Sequence, residues 1–336
     1  MGTASDSVLT ARIVRLIGPG QLVWEEEQLP VVPPPDALLC RTLASAISPG
    51  TELAAYVGAR SLRDVPAYPR VQGYCNVSEV LSVGSAVRSH KPGDRVLSFS
   101  SHRSHFVLPA ADALLTVPSI LPVDQAAVTY LFHLGYNALL RSEVRAGHRV
   151  AIVGMGTLGL GTVAVAAVAG AQVLAVTGHD SARQLASAFG ATEVYDREQV
   201  GVREGWADVV VATTNDWRDW HLALRLAAQR GTIAVLGFPG REAAPNDFNP
   251  LDSRFFYAKQ LRIEAVGLSP ERSDGRGFTR FNERENLSWL LARIAAGELP
   301  AAAMVADRYP AERIVEAYGA LLARRKSPGT SVLEWT

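Results

Sequence analysis

Apolar and polar positions follow two different rhythms along the chain. Across residues 10–120, short apolar runs are cut by Gly, Pro and Asp, as in strands and turns. "TARIVRLIGPGQLVWEEEQLP" reads as two short strands around a Gly-Pro-Gly turn. "DALLCRTLASAIS" reads as a strand, and "HKPGDRVLSFSSHRSHFVLPA" as strands with a Pro-Gly-Asp turn between them. From about 123 the period lengthens, and "VDQAAVTYLFHLGYNALLRSEV" predicts one long helix. Strand–helix units then repeat: "HRVAIVG" with "TLGLGTVAVAAVAG", "AQVLAVTG" with "SARQLASAFG", and "ADVVVAT" with "WRDWHLALRLAAQRG". The strands "TIAVLGF" and "LRIEAVG" come next. Such alternation predicts a parallel sheet covered on both faces. The helices "ERENLSWLLARIAAGEL" and "AERIVEAYGALLARR" and the strand "GTSVLEW" follow. The expected class is α/β, with a β-rich part over 1–125, a doubly wound part over 126–265, and a tail over 266–336 that packs back on the first part.

Composition narrows the function classes. Lys plus Arg and Asp plus Glu both number 33, so the net charge is zero and nothing points to nucleic acid or an anionic membrane. The short basic run "ARRKS" (323–327) reads as a solvated helix end favoured by the helix dipole. The run 158–176 has the length of a membrane span, but "AGAQ" divides it into a helix and a strand. No signal-peptide pattern opens the chain. A soluble cytoplasmic protein acting on a small molecule is expected. Two cysteines, Cys40 and Cys75, exclude a disulfide framework and a four-cysteine zinc lobe.

The most specific motif is Gly154-Met155-Gly156-Thr157-Leu158-Gly159, placed between an apolar strand and a helix. Gly154 permits the tight turn, Gly156 lets a pyrophosphate approach the backbone, and Gly159 lets helix and strand pack closely. The helix start supplies free N–H groups and a positive dipole end, making Gly156, Thr157 and Leu158 candidate cofactor contacts. The tip of the next strand reads Thr177-Gly178-His179, where NAD-specific sites carry an acid; Asp180 comes later. Thr177, Gly178, His179 and Arg183 are therefore candidate contacts for NADP(H). NAD(H) is the alternative if Asp180 reaches the ribose. Thr213, Gly237 and Phe238, at the tips of later strands, complete the cofactor set.

The stretches "SAISPGTELAAYVG" (45–58), "VQGYCNVSEVLSVGSAVRSHKPGDRV" (71–96), "AAVTYLFHLGYNALLRSEVRAGHRVAIVGMGTLGL" (126–160) and "RGTIAVLGF" (230–238) occur in this order. Over nearly its full length the chain resembles the medium-chain dehydrogenase/reductase superfamily. The resemblance implies a GroES-like catalytic domain, a Rossmann domain and a homodimer, formed through the edge strand near 261–268. Zinc-dependent members place a cysteine in the first stretch, Gly-His-Glu in the second, and a cysteine or acid before the nucleotide loop. Here those places hold Ser48 and Pro49, Tyr74 and Cys75, and Tyr130. That donor set does not make a zinc site, so no metal is expected. "ISPGTE" and "RFNERENLSWLLARIAAGEL" are also similar to a branch acting on sugars, cyclitols and bacteriochlorophyllide.

Without zinc, a hydrogen-bond donor or general acid must meet the substrate oxygen. Thr51 matches the family's substrate-contacting hydroxyl, and is otherwise a turn or cap threonine. Glu52 is a candidate proton acceptor or a structural ion pair. Tyr74 and Tyr130 are candidate acids or pocket walls, and a tyrosine acid needs its pKa lowered by positive charge. His133 is a candidate acid/base or a core histidine. His102 and His105 are loop candidates, Cys75 reads as packing, and Lys259 has no assigned role. The expected reaction is NADP(H)-linked interconversion of a secondary alcohol and a ketone on a polyhydroxylated or natural-product substrate of secondary metabolism. The alternatives are a C=C or C=N reductase of the enoyl, quinone or imine kind, and a cofactor-binding sensor or scaffold without turnover.

Overall fold

A computed structural model describes residues 8–59, 68–241, 248–267, 269, 281–323 and 328–336. Parts of the loops 58–70, 238–250 and 269–281, expected from the sequence to shape a substrate pocket, lie outside these residues (60–67, 242–247 and 270–280), as do 324–327. The fold is mixed α/β and forms two compact units. One comprises Met1–Thr129, Val305–Arg325 and Thr330–Thr336; the other comprises Tyr130–Met304 and Lys326–Gly329.

The first unit holds a seven-stranded sheet. In spatial order its strands are Val305–Pro310, Thr330–Glu334, Ala37–Ala46, Asn76–Val83, Arg95–Ser98 and Leu115–Thr116, with His105–Pro109 also paired to Ala37–Ala46. Strand Ala37–Ala46 is buried at nearly every position because both faces are covered. Leu38, Cys40, Val80, Val96 and Phe106 form one core; Val14, Ile47, Ile314, Tyr318 and Leu333 form another. The long hairpin Val8–Gly18 and Gln21–Pro30 lies in a separate three-stranded sheet. Lys91–Asp94 makes the expected Pro-Gly-Asp turn, with Asp94 N–H donating to Lys91 O at 3.1 Å.

The second unit holds a six-stranded parallel sheet, in the order Glu193–Tyr195, Gln172–Val176, Arg149–Val153, Ala207–Ala212, Ala227–Val235 and Arg262–Ala265. Its central strands, Gln172–Val176, Arg149–Val153 and Ala207–Ala212, are almost continuous apolar runs, as burial on two faces requires. Val153, Leu174, Val210, Ala212, Trp220 and Leu224 pack into its core.

Three elements depart from the expectation. The long helix is divided into Val123–Ala127 and Thr129–Arg141. The Thr129 hydroxyl takes the Ala126 carbonyl at 2.7 Å, competing with the helical ladder. The helix expected over 217–231 ends at Leu226, and Ala227–Val235 is strand. Lys259 Nζ caps that end by donating to the carbonyls of Leu224, Arg225 and Ala227 at 3.0, 2.8 and 2.8 Å. Lys259 thus has a structural task. Strand Val305–Pro310, too polar to stand out in the sequence, pairs in parallel with Thr330–Glu334.

Candidate functional site

In the second unit the glycine motif forms the turn between strand Arg149–Val153 and helix Thr157–Val168. Gly154 has φ +98, a conformation open to glycine, and a Cβ there would meet the Thr214 methyl at 2.3 Å. A Cβ on Gly159 would stand 1.8 Å from Gly154 O, so glycine is what lets the helix approach the strand. Gly156 is exposed at the N-cap, and a Cβ there meets nothing within 4 Å. The backbone N–H groups of the first helical turn, Thr157 and Leu158 included, adjoin that open space. These features fit a pyrophosphate.

The Thr157 hydroxyl is already committed to Gly329 O at 2.7 Å. Thr213 braces the turn, its hydroxyl 2.9 Å from Val153 O and 3.0 Å from Gly154 O. A Cβ on Gly237 would stand 2.4 Å from Thr214 O. Phe238 is exposed, and its N–H donates to Asn215 Oδ1 at 3.0 Å.

At the tip of strand Gln172–Val176, Thr177 is buried, Gly178 exposed, and His179 caps the next helix. The Asp180 side chain is 96% exposed, 3.7 Å from Arg183. Arg183 also pairs with Asp196 at 3.3 Å. A residue missed in the sequence stands closer. Val176 and Tyr195 are register partners, which sets Arg197 beside Gly178; Arg197 Nη1 is 3.5 Å from where a Gly178 Cβ would be. Asp219 holds Arg197 Nε and Nη2 at 2.5 and 2.8 Å, which leaves Nη1 as the edge toward Gly178. The available signal was a basic residue just past the third strand, at the height of Gly178.

In the first unit, Ser48 caps helix Pro49–Tyr56. The fold brings Thr51, Glu52 and Tyr74 together there, along with His102. Tyr74 donates to Ser48 Oγ, and Thr51 is exposed. Burial pushes the Tyr74 phenol above its ordinary value; Cys75 adds to the rise, hydrogen bonds with Ser48 and Thr51 oppose it, and Glu52 adds again. The lowered pKa that a tyrosine acid was expected to need is absent here, and Tyr74 stands as a neutral phenol. Glu52 is 1% exposed and enclosed by hydrogen-bond donors. It is an interior carboxylate. Cys75 is buried, and burial together with Glu52 keeps its thiol well above the usual range, so it is no reactive thiolate. Burial likewise pushes Cys40 up to about 12. His105 lies apart from this cluster, on a strand opposite Arg41.

Tyr130 and His133 belong to the second unit, both buried, with ring centroids 5.2 Å apart. Burial lowers the His133 pKa to about 4, which keeps the imidazole neutral near pH 7. Its Nε2 lies 3.2 Å from Ser269 Oγ. In the first unit, two of the places that the family resemblance assigns to zinc ligands hold the hydroxyls of Ser48 and Tyr74, poor donors for zinc. Among the described residues no group of three or more His, Cys, Asp or Glu is placed to hold a metal ion.

A family model described as zinc-binding dehydrogenase matches residues 157–281. Quinone oxidoreductase from Mus musculus is 26% identical over 352 residues, covering 99% of this chain and 99% of that protein. Sorbitol dehydrogenase from Bacillus subtilis is 26% identical over 249 residues, covering 62% of this chain and 70% of that one. A structure from Sinorhizobium meliloti 1021, described as a zinc-binding dehydrogenase bound to NADP, shares the fold. Its TM-score is 0.78 at 21% identity, covering 97% of this chain and 99% of the other. The chain is an oxidoreductase that shares its fold and its full-length order of parts with these relatives, as its resemblance to the medium-chain dehydrogenase/reductase superfamily implies.

Proposed function

We propose that the chain is an NADP(H)-dependent, zinc-independent reductase that converts a ketone to a secondary alcohol on a polyhydroxylated or natural-product substrate. One observation carries this reading: a neutral tyrosine hydroxyl, Tyr74, held on Ser48 at a place where zinc-dependent relatives carry a ligand. Bound NADPH supplies the hydride. The chain's residues must then meet the oxyanion that develops on the substrate oxygen. An alkoxide is about as basic as hydroxide. A phenol is a stronger acid than an alcohol, so Tyr74 can pass it a proton. Thr51, exposed beside it, is placed to orient the same oxygen. Alcohol oxidation would need the phenolate, which burial disfavours. The reductive direction is therefore favoured. The likeness to sorbitol dehydrogenase supports a carbinol substrate.

A second reading, reduction of a quinone or enone, is favoured by the full-length likeness to quinone oxidoreductase. A quinol or enolate anion is less basic than an alkoxide. Tyr74 would then stabilise it by a hydrogen bond, and the proton would come from water. NADPH consumption on separate ketose, ketone, quinone and enone panels distinguishes the two. Turnover confined to quinones and enones would displace the first reading.

For the cofactor, we read Arg197 as the cation for the 2′-phosphate, since its Nη1 edge borders Gly178 while the Asp180 side chain is in solvent. Arg197→Gln is expected to weaken NADPH binding about 10- to 100-fold, the worth of a charge-assisted hydrogen bond, and to leave NADH binding unchanged. Fluorescence titration with both nucleotides checks this; equal losses for both would contradict it. Strand Arg262–Ala265, at the edge of the six-stranded sheet, is the proposed homodimer contact.

A further inference from the structure

Glu52 follows Thr51 on the helix yet is 1% exposed. Its Oε1 accepts the Ser48 N–H at 2.7 Å. Its Oε2 takes His102 Nε2 at 2.9 Å and the Tyr318 hydroxyl. The far side of the His102 ring is held as well: Nδ1 lies 2.8 Å from Ser45 Oγ, and Ser45 Oγ accepts the Trp335 indole N–H at 2.9 Å. A buried carboxylate is tolerated only when such donors replace its water. Here they come from the helix start, the loop before strand His105–Pro109 and the C-terminal helix Ile314–Ala323. With its oxygens engaged and almost no exposed surface, Glu52 has no face left for a substrate.

Two links lead from this cluster to Tyr74. Glu52 holds Ser48, and Ser48 Oγ is the acceptor for the Tyr74 hydroxyl. His102 grips the backbone just before Tyr74. Its N–H donates to Gln72 O at 2.7 Å, and its ring packs so closely on Gly73 that a Cβ there would meet it at 2.7 Å. Gly73, at φ +91, is the residue that tolerates this approach. We infer that Glu52 is a positioning residue: together with His102 and Tyr318 it fixes both the backbone and the hydrogen-bond acceptor of Tyr74, and so sets the direction in which the phenol presents itself. The consequence for turnover rests on the reading of Tyr74 as the donor to the substrate oxygen.

The test uses full-length protein labelled with 13Cζ-tyrosine, the Tyr74 resonance being assigned from the Tyr74→Phe spectrum. Glu52→Gln is expected to move the Tyr74 resonance and to leave that of exposed Tyr257 in place. It is also expected to lower kcat for ketone reduction about tenfold through lost alignment, with the NADPH Kd unchanged. Tyr318→Phe removes a single hydroxyl from the cluster and is expected to move the same resonance, which keeps the test open if Glu52→Gln does not fold. A Tyr74 resonance unmoved by these substitutions would overturn the inference. If the resonance moves but Tyr74→Phe leaves turnover intact, the positioning role stands and the donor reading falls.

Discussion

Tyr74→Phe is expected to lower kcat for ketone reduction about 100-fold, the usual cost of removing one oxyanion donor, while the NADPH Kd stays unchanged. The substitution deletes one oxygen from a half-buried ring and leaves the packing of its body intact. It takes away the proton that an alkoxide would receive and the hydrogen bond that would meet it. An interaction made in the transition state shows in kcat, and an interaction made equally in the ground state shows in KM. The pH dependence follows from the direction of the shift. The phenol lies above its ordinary value of about 10, raised first by burial. It therefore remains protonated through neutral and mildly alkaline pH, and the reductive kcat of the wild type should show no fall from Tyr74 below about pH 10. Oxidation of the corresponding alcohol, which needs the phenolate, should be slow and should rise with pH. A Tyr74→Phe enzyme with wild-type kcat would remove Tyr74 from the chemistry.

Gly156→Asp is expected to separate folding from cofactor binding. A Cβ at Gly156 meets nothing within 4 Å, so the side chain enters open space. The backbone there, φ −79 and ψ −169, is extended and suits an aspartate N-cap. An anion at a helix N-terminus also interacts favourably with the dipole. The thermal midpoint of the free protein should therefore hold or rise slightly. The same carboxylate would occupy the place of the pyrophosphate and repel it, so NADPH affinity should fall by more than about 100-fold, since both the helix-terminus interaction and the close backbone approach are lost. Gly159→Val supplies the contrast. Its Cβ would fall 1.8 Å from Gly154 O, so it should damage the fold itself. NADPH bound normally by Gly156→Asp would show that the loop does not hold the dinucleotide.

The nucleotide loop was legible in the sequence because its determinants are local. Three glycines within six residues, a preceding apolar strand and a following helix carry the geometry: Gly154 for its conformation, Gly159 for its close packing, and Gly156 for the open space at the helix start. The parallel sheet was legible for a related reason: strands buried on both faces lose their alternation. Glu52 was not legible in this way. Next to Thr51 it reads as a proton acceptor or a structural ion pair, and its partners His102 and Tyr318 are 50 and 266 residues away. No periodicity announces a carboxylate that the fold will enclose. Tyr318 itself reads only as one more aromatic on the inner face of a helix. Arg197 was missed because its relevance depends on strand register, which places Tyr195 level with Val176. The helix expected to run to 231 is cut short by a lysine some 30 residues further on. In each case a long-range partner overrides the local pattern.

The central claim is carbonyl reduction by NADPH at a site of hydroxyl donors without zinc. It is tested most directly by measuring ketone-dependent NADPH oxidation and bound metal on the same preparation of full-length protein, before and after exhaustive chelation. The expected result is turnover on at least one ketone or ketose, undiminished by chelation, with zinc far below stoichiometric. Stoichiometric zinc whose removal abolishes turnover and whose return restores it would contradict the account.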